Sequence, residues 1–358
     1  MKILTVLGAR PQFIKASMIS KILKRTKHVS EVIVHTGQHY DDNMSTVFFE
    51  QLKLPKPDFY LGIGSGSHGE QTGKMLAALE KVMISVKPDI VLVYGDTNST
   101  LAGSLSAAKL HIPIAHVESG LRSFNKDMPE EINRIMTDHL SNWLFCPSQA
   151  AVENLKTEGI AENVYLTGDI MYDSVLYFRS QAAQQSTILQ KLSLSKKSYT
   201  LATIHRAENT DEPERLQSIL TALRKVKSDI LLPLHPRTKS KIDQFKLTDL
   251  LSSSNIKLVE PLNYLDMLAV TSQAKLILTD SGGLQKEAYM FHIPCITLRD
   301  ETEWIETVKT GWNKVIGSNT QEILDAIKNV TKPKESPLIF GDGNAGEKIV
   351  DTLVNDFM

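Results

Sequence analysis

The chain has no excess of charge of either sign: 40 Lys and Arg stand against 41 Asp and Glu. Without a bulk field there is nothing to draw in nucleic acid or an anionic membrane, so any anion must be bound at a local site. Cysteine is nearly absent. Cys146 and Cys295 lie far apart, each beside a proline near a strand end and with no metal-ligand spacing around it, which predicts two buried thiols. No apolar run approaches membrane-spanning length, and the N-terminus opens on a strand pattern from Met1 to Leu7 rather than a basic, apolar, small-residue leader. A soluble cytoplasmic protein is the expectation. There is no tandem short repeat and no low-complexity tract. No helical His-x-x-x-His or comparable spacing points to a metal, and no Gly-x-Ser-x-Gly elbow points to a serine hydrolase.

What the 358 residues do contain is enough apolar side chain, 42% of the chain, to fill two cores of ordinary size. Short β-branched runs read as buried strands at 2–7, 31–35, 90–94, 114–117 and 143–146. Between them, 11–24, 70–86 and 98–110 carry apolar residues at the three-and-four spacing of a helix. The alternation predicts a parallel sheet covered on both faces. It restarts after the polar stretch 181–197, with strands at 199–204, 230–234, 256–259, 276–279 and 295–298. The expected architecture is thus α/β, two doubly wound Rossmann-like domains spanning 1–167 and 168–343, with a final helix at 344–358 packing back on the first. Ligands of open α/β sheets bind beyond the carboxyl ends of the strands, so two such domains facing across a cleft would bring their strand ends to one edge.

Polar residues directly after strands are therefore the candidates for a site. The most informative segment runs from Leu276 to Glu287, where a buried strand leads into Ser281-Gly282-Gly283 and a helix begins. Free N–H groups and the helix dipole at such a turn cradle phosphate, and Glu287, about one turn further on, is placed for a ribose hydroxyl pair. An ordinary strand-to-helix turn would look the same. The other strand ends are Gly8-Ala9-Arg10-Pro11 with Lys15, Gly37-Gln38-His39, Gly95-Asp96-Thr97, Glu118-Ser119-Gly120-Leu121-Arg122, His205-Arg206 and His235-Pro236-Arg237. Arg10 suggests a phosphate clamp made by a side chain, and the imidazoles and guanidiniums of the second domain suit phosphate oxygens. Asp96, Glu118, Glu130 and Glu131 are the acidic candidates for proton transfer, their acidities separable by burial and by Arg10, Arg122 or Arg134 nearby. Purely structural roles compete: Asp96 could cap the helix from Asn98, and Pro129-Glu130-Glu131 reads as an acidic helix start. A Gly-x-Gly-x-x-Gly string, Gly64 to Gly69, follows a Pro-containing stretch and reads as a flexible loop, so no nicotinamide or other cofactor is implied.

Taken together these segments resemble the non-hydrolysing UDP-N-acetylglucosamine 2-epimerase family, over almost the whole chain and in the right order. The likeness rests on the turns already quoted and on Thr36-Gly37-Gln38-His39, His116-Val117-Glu118-Ser119-Gly120-Leu121-Arg122, Pro129-Glu130-Glu131-Ile132-Asn133-Arg134 and Asp280-Ser281-Gly282-Gly283-Leu284-Gln285-Lys286-Glu287. It implies the two-domain fold shared with many sugar-nucleotide glycosyltransferases (GT-B-like), UDP held mainly by the second domain, and a homodimer. By the same resemblance Ser281, Gly282 and Gly283 bind the diphosphate and Glu287 the ribose. Arg10 and His205 assist at phosphate, with His235 among the substrate contacts. Asp96, Glu118 and Glu130 become the catalytic carboxylates, with His205 counted beside them and Lys15 and Arg134 in support.

Departures from the family pattern bear on the substrate. Gly8-Ala9-Arg10-Pro11-Gln12 stands where the common enzymes carry Gly-Thr-Arg-Pro-Glu, and Arg299-Asp300-Glu301-Thr302-Glu303-Trp304-Ile305-Glu306 where they carry Arg-Asp-Thr-Thr-Glu-Arg-Pro-Glu. These variants, with Ser123-Phe124-Asn125 and Asp41-Asp42-Asn43-Met44, resemble the UDP-2,3-diacetamido-2,3-dideoxy-glucuronate 2-epimerases of bacterial surface-polysaccharide (lipopolysaccharide) synthesis. That sugar is the expected substrate. UDP-N-acetylglucosamine is the alternative, and a glycosyltransferase or a UDP-sugar sensor the alternative of another class. Gln38-His39-Tyr40-Asp41 lacks the second half of the Gln-His-Arg-Gln-type run of allosterically activated enzymes, so activation by UDP-N-acetylglucosamine is not expected.

Overall fold

The computed structural model of the protein describes residues 1–38, 49 and 51–357. The chain divides into two compact units, Met1–Ser174 with Leu338–Met358, and Val175–Pro337. It passes from one to the other within the helix Ile170–Gln185.

Among the described residues the first unit holds one parallel sheet of seven strands. They are β1 (Lys2–Leu7), β2 (Ser30–His35), β3 (Phe59–Tyr60), β4 (Ile90–Tyr94), β5 (Ile114–Val117), β6 (Trp143–Cys146) and β7 (Val164–Leu166), in the order β3-β2-β1-β4-β5-β6-β7. The order reverses beside β1, as parallel strands joined by right-handed crossovers require. β4 is buried at every position, as its unbroken Ile-Val-Leu-Val-Tyr run demands of a central strand covered on both faces. The final helix, Ala345–Phe357, belongs to this unit: Ala345 and Gly346 donate their N–H groups to the Asp173 carboxylate at 3.2 and 2.8 Å.

The second unit repeats the plan with six strands: β8 (Thr200–Thr203), β9 (Ile230–Pro233), β10 (Ile256–Val259), β11 (Leu276–Thr279), β12 (Cys295–Thr297) and β13 (Asn313–Val315), ordered β10-β9-β8-β11-β12-β13. Alternate side chains of β11 enter opposite cores, Leu276 and Leu278 one and Ile277 the other. Burying each such side chain contributes roughly 1.5–3 kcal/mol, so both helical layers are held by the sheet between them.

The two-residue and three-residue edge strands β3, β7 and β13 escape the sequence reading because runs that short carry no measurable periodicity. The Gly64–Gly69 string is corrected in part. Gly64 to Ser67 form a loop, but His68 and Gly69 already lie in the helix His68–Val86, whose first turn Ser67 caps by accepting from Glu70 N–H. Both cysteines are buried, and burial pushes each thiol up to about 12. Among the described residues no helix is long and apolar enough to cross a membrane, and no three His, Cys, Asp or Glu side chains converge to hold a metal.

Candidate functional site

The sequence candidates divide between the units, Arg10, Lys15, Asp96, Glu118, Glu130 and Arg134 in the first, His205, His235, Ser281, Gly282, Gly283 and Glu287 in the second. Each half is built from strand ends. His39 and the segment Asp41-Asp42-Asn43-Met44 lie outside the described residues, as does Gln38-His39-Tyr40-Asp41 beyond its first residue.

In the first unit β1 ends in Gly8 and the helix Arg10–Arg25 follows, with Pro11 in its opening turn. Gln12 fastens this turn to β4. Its Oε1 accepts from the N–H groups of Gly8 and Ala9, while its Nε2 donates to Tyr94 O, Thr97 Oγ1 and Thr100 Oγ1 at 2.9–3.0 Å. A glutamate could not donate to Tyr94 O, so the amide of Gln12 is what makes this link. One helical turn on, Lys15 donates to Glu118 Oε2, both side chains buried. Burial lowers the pKa of Arg10 from its ordinary value.

Asp96 and Glu118 follow adjacent parallel strands, β4 and β5, paired up to Tyr94 and Val117. Glu118 adopts φ +74°, a left-handed backbone that costs a non-glycine residue roughly 1–2 kcal/mol and turns its carboxylate out of the strand path. Gly95, at φ +62°, has no room for a side chain: a Cβ would sit 3.2 Å from Glu118 Oε2 and 3.3 Å from Lys15 Nζ. Asp96 does not cap the next helix. Thr97 does that, accepting from Thr100 N–H, and Asp96 instead accepts from Arg134 Nη2 at 2.7 Å. Asp96 stays the more open carboxylate, 34% exposed against 8% for Glu118.

Arg134 comes from the helix Pro129–Leu140, whose amphipathicity is inverted. Glu131, Asn133, Arg134, Thr137 and Asp138 are buried, while Ile132 and Met136 are 49% and 44% exposed. Arg134 Nη1 also donates to Glu131 Oε2 at 2.9 Å, and Glu131 accepts from the N–H groups of Ser123 and Phe124. Glu130 is part-exposed in the same first turn. The sequence offers Glu131 among the acidic candidates and His116 only within the family-like segment 116–122, and it does not single out Asp138. A histidine inside the apolar β5 run and a charged stripe at 131, 134 and 138 were the available signals.

In the second unit the helix Gly282–Met290 opens directly after β11, capped by Ser281, whose Oγ accepts from Leu284 N–H. Gly282 and Gly283 are its first two residues, whose N–H groups have no carbonyl within the helix to bond. A Cβ on Gly282 would collide with Glu303 Oε1 and lie 3.2 Å from Trp304 Nε1, whereas one on Gly283 would touch nothing closer than Ser281 Oγ at 3.9 Å. Asp280 anchors the neighbouring strand end, accepting from His205 N–H at 2.9 Å, Arg206 N–H at 3.0 Å and Asn209 Nδ2 at 3.2 Å. Burial would raise the Asp280 carboxyl, but the His205 imidazole and these backbone donors outweigh it and hold it below its usual value. The rings of His205 and His235 lie 5.7 Å apart. Glu287 is buried, which pushes its carboxyl up to about 7 against the opposing charge of Lys286. Lys286 Nζ lies 4.2 Å from the centroid of the buried Trp304 indole, so the Trp304 departure supplies the face that accepts a buried ammonium.

Both units are doubly wound, one with a Ser-Gly-Gly turn at a helix start and the other with carboxylates paired to cations at adjacent strand ends, the architecture of sugar-nucleotide enzymes. The sequence model of the UDP-N-acetylglucosamine 2-epimerase family matches residues 21–354. A UDP-N-acetylglucosamine 2-epimerase homolog of Methanococcus maripaludis is 51% identical over 358 residues, covering 99% of this chain and 100% of that one. The UDP-2,3-diacetamido-2,3-dideoxy-D-glucuronate 2-epimerase of Pseudomonas aeruginosa is 49% identical over 361 residues, covering 99% of each. The crystal structure of the Methanocaldococcus jannaschii UDP-GlcNAc 2-epimerase in complex with UDP-GlcNAc and UDP matches with a TM-score of 0.94 at 45% identity, covering 99% of this chain and 100% of that one. The chain therefore belongs to the UDP-N-acetylglucosamine 2-epimerase family, a family of UDP-sugar isomerases with the GT-B-like fold.

Proposed function

We propose that the protein inverts C2 of UDP-2,3-diacetamido-2,3-dideoxy-glucuronate to the manno epimer by eliminating and re-adding UDP. The observation that carries the reaction is the pair of carboxylates at adjacent strand ends, Glu118 on Lys15 and Asp96 on Arg134. C2 of a UDP-sugar has no neighbouring carbonyl, so its hydrogen is not acidic. Loss of UDP supplies the missing activation. As the C1–O bond breaks and its electron pair leaves with UDP, C1 gains positive character, a carboxylate takes the C2 proton, and a C1–C2 double bond forms. Protonation of C2 from the opposite face and return of the UDP oxygen to C1 give the epimer.

In this reading Glu118 and Asp96, with Glu130 beside them, transfer the protons. The N–H groups of Gly282 and Gly283, with Ser281, Arg10, His205 and His235, hold the diphosphate, and Glu287 takes the ribose hydroxyls. Lys15 and Arg134 hold and aim these carboxylates. A closed site must retain both fragments and exclude water. The diacetamido sugar is preferred on the 49% identity to the Pseudomonas enzyme and on the Arg299–Glu306 loop with its Trp304. The second reading, UDP-N-acetylglucosamine to its manno epimer, rests on the similarity to the Methanocaldococcus enzyme. A cytoplasmic homodimer belongs to the same proposal, and sedimentation velocity decides the oligomeric state.

Both UDP-sugars offered side by side in D₂O, with the products read by NMR, test the assignment. Deuterium at C2 of an epimer made without any acceptor is the expected result. Epimer with no deuterium would sink the elimination route, product only in the presence of an acceptor would make the protein a transferase, and turnover of UDP-N-acetylglucosamine alone would reverse the choice of substrate.

A further inference from the structure

His116 is fully buried on β5, and both of its ring nitrogens meet acceptors. Nε2 lies 2.8 Å from Gly95 O, and Nδ1 lies 2.7 Å from Asp138 Oδ1. Gly95 O is a carbonyl and only accepts, so Nε2 carries a hydrogen. Asp138 accepts through its other oxygen from Arg122 Nη1 at 2.7 Å and from Gly120 N–H at 3.0 Å. Burial would raise the Asp138 carboxyl, but His116 and Arg122 together hold it below its usual value, so it is ionised and accepts from Nδ1 as well. With Gly95 O and the Asp138 carboxylate both accepting, both ring nitrogens serve as donors. The charged groups around it are Asp138, Arg122 and, on the far side of Arg122, Glu158, which accepts from Arg122 Nε and Nη2 at 2.7 Å each.

The two ends of this couple bracket the carboxylates that the proposed reaction uses. Gly95 immediately precedes Asp96, and Gly120 comes two residues after Glu118. Gly95 and Gly120 have left-handed backbone, φ +62° and +78°, which glycine adopts freely, whereas Glu118 at φ +74° is held there against its own preference. We infer that His116 is a positioning residue that sets the spacing of Asp96 and Glu118 by holding the Gly95 carbonyl with one nitrogen and, through Asp138, the Gly120 amide with the other. A side chain with a single donor would leave either the carbonyl or the carboxylate without its partner in a dry interior, and one of the two turns would relax. The two donors keep both in place without touching substrate.

The inference rests on the reading of Asp96 and Glu118 as the proton-transfer groups, and its tests separate the two. In wild-type protein labelled with ¹⁵N-histidine, the ring nitrogens of His116, assigned through Val117, should both show the protonated pattern at neutral pH. This readout needs no activity and no variant. A bare ring nitrogen would overturn the inference whatever the enzyme does. With the epimerisation assay in hand, H116F removes both donors and H116Q keeps one, within reach of Gly95 O. Misplacing a reacting group by about 1 Å costs up to about a hundredfold in rate, so kcat of H116F should fall by about that factor and H116Q should recover roughly tenfold of it. The KM and the dissociation constant for UDP should stay within about twofold of wild type in both. Equal kcat in the two variants, or UDP affinity falling in step with kcat, would show a general structural role instead. If neither variant folds, the nitrogen spectrum decides alone. If wild-type protein forms no epimer, the proposed function fails while the spectrum still reads the hold on Gly95.

Discussion

Arg134 donates to Asp96 Oδ2 at 2.7 Å across 38 residues of sequence, and its other terminal nitrogen donates to Glu131 at 2.9 Å. One buried guanidinium thus joins an open carboxylate at a strand end to a closed one in the first turn of a helix. Removing one member of a buried pair typically costs about 3–5 kcal/mol because the charge left behind is unpaired. R134M should lose that order of stability in urea unfolding, reduced somewhat because Glu131 keeps the N–H groups of Ser123 and Phe124. Unchanged stability would show that the pair contributes nothing net to the fold.

The carboxylates and the anion turn should fail in different ways. D96N and E118Q remove the proposed proton-transfer groups and should lower kcat by about a hundredfold to ten-thousandfold, with the dissociation constant for UDP nearly unchanged in calorimetry. Loss of UDP binding with kcat retained would mean that the assigned roles are exchanged.

Gly282 and Gly283 are neighbours with opposite constraints. The missing side chain of Gly282 faces Glu303 and Trp304, so G282A should be overpacked and lose about 1–3 kcal/mol in thermal or urea unfolding. Gly283 faces open space, so G283V should fold with little loss yet weaken UDP binding by about tenfold or more by blocking approach to the helix N-terminus. A folded G282A together with a G283V that binds UDP normally would remove this turn as the anion site.

Glu287 predicts a pH dependence with a definite sign. Burial lifts its folded pKa to about 7 from an ordinary value of 4.5. Below about pH 4.5 the carboxyl is protonated in both folded and unfolded chains and costs nothing. As the pH rises toward about 7 the unfolded chain ionises first and stability falls, by about 3 kcal/mol at the most once the folded group has ionised too. E287Q should therefore gain stability relative to wild type from about pH 4.5 to about 8 in urea unfolding. A difference between the two proteins that does not change over that range would show that the carboxyl is not held protonated by burial.

Much of this arrangement is written in local sequence. The buried runs of β1, β4, β8 and β11 and the amphipathic stretches between them dictate two doubly wound domains, because period and composition act over a few residues and need no knowledge of the partner strand. That Ser281-Gly282-Gly283, Arg10 and the acidic residues stand at strand ends is legible for the same reason: the polar residue that ends a buried run marks where the strand stops.

Tertiary structure decided the partners, since hydrogen-bond geometry depends on residues far apart in the chain. Nothing local says that Gln12 fastens β1 to β4, that Thr97 rather than Asp96 caps a helix, or that Lys15 belongs to Glu118 across 103 residues. The helix Pro129–Leu140 shows the limit most plainly. Read locally, it should bury Ile132 and Met136, but it buries Glu131, Arg134 and Asp138 instead. Those charges find carboxylate, guanidinium and imidazole partners within the helix itself, on β5 and in the turns that follow β4 and β5, and only paired charges can be taken out of water.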